Sequence, residues 1–314
     1  MVYRAAPVRV PIQDLVTASS DLPDDDGTGG LPQTPAPASA RYRPISPDLA
    51  IAPTVSVIIP AMNESLNLPH VFQTLPLWID EVVLVDGRSS DDTVAVAQRL
   101  WPRIKVVTQQ GWGKGDALLT GFAACHGDII VTMDADGSTH GGEIVRFVGA
   151  LLGGADFAKG SRFANGGGSS DITAARRYGN RILSGMVNRL FGTRYTDLCY
   201  GYNAFWARHL SALDLDCAGF EVEAMMNVRA AASGLQIQEV PSFEHPRLHG
   251  ASNLRIMIDG WRIAKVIARE WYRLRSARTT ERVVAANMGQ RADFAKSQNS
   301  SPEVLANPAS CRGA

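Results

Sequence analysis

From residue 54 onward the chain switches between two hydrophobic periods. Short, nearly continuous apolar runs at Val55-Ser56-Val57-Ile58-Ile59-Pro60, Glu81-Val82-Val83-Leu84-Val85, Ile104-Lys105-Val106-Val107 and Ile129-Ile130-Val131-Thr132-Met133 read as strands of the kind buried on both faces. Between them, Leu68, Val71, Phe72 and Leu75, then Val94, Val96, Ala97 and Leu100, then the segment from Asp116 to Cys125 read as helices. Ser90-Asp91-Asp92-Thr93 predicts the start of the second helix, because short acids and hydroxyls satisfy the free N–H groups there. Such alternation predicts an α/β fold with a mainly parallel, doubly wound sheet.

The second half is more broken. A helix through Ile144, Phe147, Val148, Leu151 and Leu152 precedes a strand over Asp156 to Phe163. Asn165 to Ser170 holds three glycines and reads as irregular, either a lid or a plain surface loop. A helix follows from Ala174 to Leu190, carrying Arg176, Arg177, Arg181 and Arg189. Tyr195 to Phe205 is aromatic and glycine-broken, more like a substrate wall than a core helix. Gly219 to Glu223 opens another helix, Ile237 to Pro241 forms a strand, and the final ordered element runs from Leu254 to about Arg278. That element carries an apolar set (Met257, Ile258, Trp261, Ala264, Ala268, Trp271, Tyr272) among many arginines. Two readings stay open: a basic helix lying on an anionic membrane surface, or one packing its apolar side on the domain.

Composition changes this picture little. With 31 basic and 31 acidic residues, the 314-residue chain carries no net charge that would suggest nucleic acid as a partner. Cys125, Cys199, Cys217 and Cys311 lie far apart with no C-x-x-C spacing, the pattern of reduced structural thiols. Neither a signal peptide nor a run of about 18 apolar residues is visible, so the sequence reads as cytoplasmic. The expected organisation is a disordered N-terminal arm over 1–53, a catalytic domain over 54–253, the basic helix over 254–284 and a disordered tail over 285–314.

The densest chemistry follows the fourth strand. Asp134-Ala135-Asp136 stands where an open α/β sheet binds its ligands, and residues two apart on an extended chain point the same way. Two carboxylates could thus approach one Mg²⁺ or Mn²⁺, which in turn would grip the phosphates of a nucleotide. The bland alternative is a turn or helix cap.

These segments together resemble the family 2 glycosyltransferases of the GT-A fold, within the group of dolichol-phosphate mannosyltransferase and bacterial polyprenyl-phosphate glycosyltransferases. The resemblance covers about Val55 to Asn253. It rests on Ile58-Ile59-Pro60 with Asn63-Glu64, Val85-Asp86-Gly87 through Thr93, Gly113-Lys114-Gly115, Asp134-Ala135-Asp136, Gly160-Ser161-Arg162-Phe163, and the trio Arg247, Gly250, Ser252. It implies a nucleotide-binding N-terminal half and an acceptor-binding C-terminal half.

The resemblance further implies that Pro60, Asn63, Glu64 and Asp86 line the nucleoside pocket, that Asp134 and Asp136 hold the metal beside Ala135, and that Lys114 reaches the substrate from its glycine loop. Arg162, Arg176, Arg177 and Arg247 would meet the phosphates, with only one of the adjacent Arg176 and Arg177 touching ligand. The implied reaction moves a sugar from a UDP- or GDP-linked donor to a polyprenyl phosphate, with inversion. That acceptor is already ionised and needs no strong base; a hydroxyl acceptor would need one, with Glu221 and Glu223 available. Peripheral contact with the inner face of the plasma membrane would follow from the basic helix. Departures from the family pattern are the lone Asp86 where relatives pair acids, and Ser138 in place of a Gln, which leaves the metal's third contact open. The rival readings are a soluble or polysaccharide hydroxyl acceptor, a nucleotidyltransferase, and a non-catalytic binding module. Pro60-Ala61-Met62-Asn63-Glu64 lacks the glycine-rich loop that a nucleotidyltransferase carries after its first strand.

Overall fold

The computed structural model describes residues 52–250 and 255–276. Most of the expected arm, the whole tail, Ser252 and Cys311 therefore lie outside the described residues.

The four apolar runs form strands β1 (Val55–Ala61), β2 (Glu81–Asp86), β3 (Lys105–Thr108) and β4 (Ile129–Thr132). They alternate with helices α1 (Leu68–Thr74), α2 (Thr93–Leu100) and α3 (Gly113–Ala124). The start of α2 is capped within the expected run by Asp91, which accepts the Thr93 amide at 3.0 Å, while Asp92 makes no side-chain cap. Next come α4 (Ile144–Leu152), β5 (Phe157–Ser161), the two-residue β6 (Gly168–Ser169) and α5 (Ala174–Phe191). The chain continues through β7 (Asn203–Trp206), α6 (Leu210–Leu213), α7 (Val222–Ala232), β8 (Ile237–Pro241) and β9 (Phe243–Glu244), and ends in helix α8 over residues 256–276.

The main sheet has the order β3-β2-β1-β4-β7-β5-β8. All its pairings are parallel except those of β7, which runs against both β4 and β5. The sheet is thus mainly parallel, as expected. The segment from Tyr195 to Phe205, expected to be a substrate wall, divides: Tyr200 and Gly201 line a cavity at the sheet edge, whereas Asn203–Trp206 form β7. Its short aromatic segment is a central strand because Phe205 stacks on Phe157 at 5.7 Å and meets the edge of Phe122 at 5.6 Å. A second correction concerns Gly168 and Ser169, expected to be irregular, which pair in parallel with Phe243 and Glu244.

Side-chain alternation divides the core into two layers. Val57, Ile59, Leu84 and Val131 face α1, α2 and α4, whereas Ile58, Val83, Val85 and Ile130 face α3 and α7. Each fully buried Val, Leu or Ile side chain contributes roughly 1.5–3 kcal/mol, so this two-sided burial anchors the strand ends from which the functional residues project. A third cluster joins Val187 of α5 and Ile263 and Ile267 of α8 to Ala224 and Val228 of α7.

Helix α8 packs, but not by the face read from sequence. Ile263, Val266 and Ile267 are buried with Asp259 and Glu270, whereas Met257, Ile258, Trp261 and Tyr272 are exposed, Met257 by 84%. The acids can be buried because they are paired: Glu270 binds Arg229 of α7 at 3.1 Å, and Asp259 binds Arg262 at 3.4 Å. Among the described helices none is long and apolar enough to cross a membrane.

Candidate active site

A cavity of about 520 Å³ lies against the carboxyl ends of the strands. Pro60, Ala61 and Glu64 enter from the end of β1, Lys114 from the first turn of α3, and Asp134, Ala135, Asp136 and Ser138 from the end of β4. Arg162, Tyr200, Gly201, Glu223 and Arg247 complete the floor, and its far wall is formed by α5 and α8.

Two cations hold the carboxylate pair. Lys114 bridges Asp134 and Glu223 through its ammonium. Burial opposes charge on Lys114, but the two carboxylates outweigh it and hold the ammonium above the ordinary lysine range. For Glu223 burial prevails over the pull of Lys114, and its carboxyl is pushed up. Arg247 spans the other carboxylate, with Nη2 at 2.8 Å from Asp136 and Nη1 at 3.2 Å from Glu64. Burial also raises the Glu64 carboxyl, against the hydrogen bond from Asn67 and the charge of Arg247.

Local sequence explains this convergence. Gly115 lets the loop at Cys217 and Ala218 press on α3, since a Cβ there would meet the Cys217 carbonyl oxygen at 2.1 Å. Lys114 is thereby held over the floor. Gly201 is equally constrained, because a Cβ would stand 2.5 Å from a Glu223 oxygen and 2.6 Å from the Lys114 Nζ. The Arg247 loop is tied down at both ends: His245 donates its amide to the Ser138 carbonyl at 2.8 Å, and His249 donates to Asn67 Oδ1 at 3.0 Å. Ser138 also fixes Asp136, donating its amide at 3.0 Å and its hydroxyl at 2.6 Å to Oδ1.

The sequence-predicted residues thus divide. Pro60, Glu64, Lys114, Asp134, Ala135, Asp136, Arg162, Arg176, Glu223 and Arg247 all line the cavity. Asn63, Asp86 and Arg177 do not. Asn63 is a turn residue at φ 58°, whose Oδ1 accepts the Ser90 amide at 2.8 Å. Asp86 Oδ1 accepts the Ser89 amide at 3.1 Å, and it is Gly87 that reaches the cavity. Arg177 instead stacks over Phe163 at 5.6 Å, so Arg176 is the one of the pair on the cavity side.

Arg162 lines the cavity, yet most of its donors are committed within the protein. Its Nε and Nη2 grip Asp197 at 2.7 and 3.0 Å, and Nη1 reaches Glu244 at 3.0 Å. Sequence reasoning missed Asp197 and Glu244, and also Gln109, Trp112, Asn180 and Phe220 in the cavity wall. For Trp112 a signal was present, since it stands inside the glycine loop beside Lys114. Asp197 and Glu244 are recognisable only through their partner, 35 and 82 residues away in the chain.

A divalent ion fits the donor set. Among the described residues no group of three or more His, Cys, Asp or Glu side chains forms a metal cage. Two aspartates reaching one cavity match the pattern of Mg²⁺ sites completed by substrate phosphates. Of the free thiols Cys125, Cys199 and Cys217, Cys199 lines the cavity, and burial pushes Cys125 up to about 11 and Cys199 and Cys217 each up to about 12, which keeps them protonated.

A sequence model of Glycosyl transferase family 2 matches residues 56–227, more than half of the chain. The chain belongs to glycosyl transferase family 2. This family 2 member is 28% identical over 249 residues to the low-salt glycan biosynthesis hexosyltransferase Agl6 of Haloferax volcanii, across 77% of the chain and 60% of that relative. It therefore spans less than two thirds of the Haloferax protein. Identity to the polyprenol monophosphomannose synthase of Mycolicibacterium smegmatis is 32% over 211 residues, covering 63% of the chain and 80% of the relative. Among solved structures, glucosyl-3-phosphoglycerate synthase from Mycobacterium tuberculosis, in complex with Mn²⁺, UDP and glucosyl-3-phosphoglycerate, aligns with a TM-score of 0.56 at 24% identity. That alignment covers 69% of the family 2 chain and 80% of the synthase. The shared architecture is the GT-A fold.

Proposed function

We propose that the protein transfers a sugar from a nucleotide-diphosphate sugar to a polyprenyl phosphate, inverting the anomeric centre. The observation that carries this reading is the convergence, in one cavity, of Asp134 and Asp136, the cations Lys114, Arg176 and Arg247, and the apolar side chains Leu183 of α5 and Ile256 and Ile263 of α8. Cationic side chains at one end and apolar side chains at the other suit an amphiphilic acceptor whose head is a phosphate.

An acceptor phosphate oxygen forms the new bond to the anomeric carbon as the bond to the nucleotide breaks, and the electron pair departs on the diphosphate. No proton need leave the acceptor. Asp134 and Asp136 would hold Mg²⁺ or Mn²⁺, which when bound neutralises charge developing on the leaving diphosphate. Arg247 and Lys114, each beside one of these carboxylates, would meet the phosphates of the two substrates.

The relatives' names favour this acceptor, since the Mycolicibacterium protein is a polyprenol monophosphomannose synthase. A second reading, transfer to a hydroxyl compound, draws on Glu223: its raised carboxyl lines the cavity and could serve as a base. Nucleoside diphosphate release, measured with Mn²⁺ across UDP and GDP sugars, is expected to require one donor and a short polyprenyl phosphate together, and to stop on chelation. Release that ignores the lipid would move the acceptor to a hydroxyl compound. Pyrophosphate release would instead mark a nucleotidyltransferase.

Peripheral membrane contact belongs to the same reading. The exposed Met257, Ile258, Trp261 and Tyr272 share α8 with Arg262, Lys265 and Arg273, a combination suited to an anionic bilayer surface. Trp261→Glu is expected to weaken co-sedimentation with phosphatidylglycerol vesicles by about tenfold. Equal sedimentation of the variant and the parent would remove α8 from membrane contact.

A further inference from the structure

One end of the cavity lies against β2 and β3, where Gly87, Gln109 and Trp112 form its wall. Asp86, the last residue of β2, is engaged with the Ser89 amide, and Gly87 adds no side chain of its own. The Trp112 indole is therefore the largest flat surface at this end. It is 71% exposed, so the protein itself leaves most of it uncovered.

Arg88 holds this indole from the neighbouring loop. Its guanidinium lies 4.7 Å from the centre of the Trp112 ring and donates to the Gln110 carbonyl, which joins the loop after β2 to the loop after β3. The reach is made from a left-handed backbone, φ 63°, a conformation in which the Cβ of an L residue is crowded. Such strain persists where surrounding contacts impose it, and it gathers at ligand sites. Here the contacts that impose it end on a tryptophan in a cavity wall.

The remaining wall residue is polar. Gln109 is 5% exposed, donates its amide to the Asp86 carbonyl at 3.1 Å and donates Nε2 to the Gly111 carbonyl at 3.2 Å. Oε1 is left as the atom that it can offer, an acceptor. Two residues after Trp112, Lys114 reaches Asp134 at the other end of the same cavity.

We propose that Trp112 is the stacking face for the nucleobase of the donor, with Arg88 as the positioning residue that sets the indole. A flat π-system with a polar rim matches an exposed indole beside an amide acceptor. The acceptor selects a base that carries a ring N–H, as uracil and guanine do and cytosine and adenine do not. The proposal rests on the nucleotide-sugar donor of the reading above and adds how its base is held.

Binding in the presence of Mn²⁺, measured by calorimetry, separates the base from the diphosphate. The probes are UDP, GDP, CDP, ADP and ribose 5-diphosphate, which has no base. Trp112→Ala is expected to raise Kd for the preferred nucleotide by about tenfold while ribose 5-diphosphate binds within about twofold of the parent. Arg88→Gly places in the left-handed backbone the residue that adopts it freely. It is expected to melt no lower than the parent and yet to bind the nucleotide about threefold more weakly, again with ribose 5-diphosphate unaffected. CDP and ADP are expected to bind the parent at least about tenfold more weakly than UDP and GDP respectively. A nucleotide Kd within about twofold of the parent in Trp112→Ala, or an equal loss for ribose 5-diphosphate, overturns the stacking face. A lower melting temperature with unchanged nucleotide affinity in Arg88→Gly overturns the role of Arg88, and CDP or ADP binding as tightly as its counterpart overturns that of Gln109. Parent protein that binds none of the nucleotides overturns the donor reading as well.

Discussion

Asp136→Asn is expected to lower kcat for sugar transfer by about 10³-fold while leaving the fold intact. Asn is isosteric and can still accept the Ser138 amide and hydroxyl that orient this side chain. What disappears is the negative charge. Arg247 keeps Glu64 as a partner, so the loop that carries it remains anchored. The loss therefore reports on chemistry at the end of β4 and not on collapse of the site. Nucleoside diphosphate release, Mn²⁺ binding measured by calorimetry with the nucleotide present, and a thermal melt would be read on the same preparation. Release within about threefold of the parent would remove Asp136 from the reaction and reopen the reading of the chain as a binding module.

Asp197→Ala is expected to be the most damaging single change to stability. Asp197 is fully buried and takes two side-chain hydrogen bonds from Arg162, itself 3% exposed in its side chain. Removing one member of such a pair leaves the other charge buried without compensation, a loss of about 3–5 kcal/mol, or about 10 °C in Tm for a domain of this size. Glu244 keeps one contact with Arg162 but cannot replace the paired fork.

A pH signature accompanies this loss. Burial alone would raise the Asp197 carboxyl, but the hydrogen bonds and charge of Arg162 outweigh it and hold the group below its ordinary 3.8. A carboxyl lowered in the folded state contributes stability above its unfolded value and loses it as pH falls through the folded one. The gap in urea midpoint between parent and variant should thus be constant near neutrality and narrow below about pH 4. A Tm within about 3 °C of the parent, or a gap independent of pH, would mean that the pair contributes little.

Legibility in the sequence followed how local each cause was. β1 to β4 could be read because a run such as Ile129-Ile130-Val131 needs only its own residues to look buried. The position of Asp134 and Asp136 at the sheet edge was legible for a similar reason, since they follow directly on β4. β7 could not, because what makes Phe205 a core residue is its contact with Phe122 and Phe157, far away in the chain. α8 misled in a more instructive way. Helical periodicity selects the Met257 and Trp261 side as the apolar face, whereas the buried side contains two acids. One of them, Glu270, is acceptable there only because Arg229 on α7 pairs with it. In the same manner the local pattern around Arg162 shows its place at the cavity but not that Asp197 holds part of its fork. Long-range ion pairs leave no trace in the local pattern.

The placement of β7 bears on how the chain reaches this state. Its residues 203–206 are made after β4 and β5 yet lie between them, pairing Ile129 with Trp206 and Phe157 with Phe205. Until they leave the ribosome, β4 and β5 each present an open row of backbone donors and acceptors to any neighbouring strand. Contacts so distant in sequence form slowly, so the nascent chain spends its most vulnerable interval with half of its sheet unjoined. The strand that joins the two parts of the sheet is thus among the last to be made, with only β8 of the main sheet still to follow.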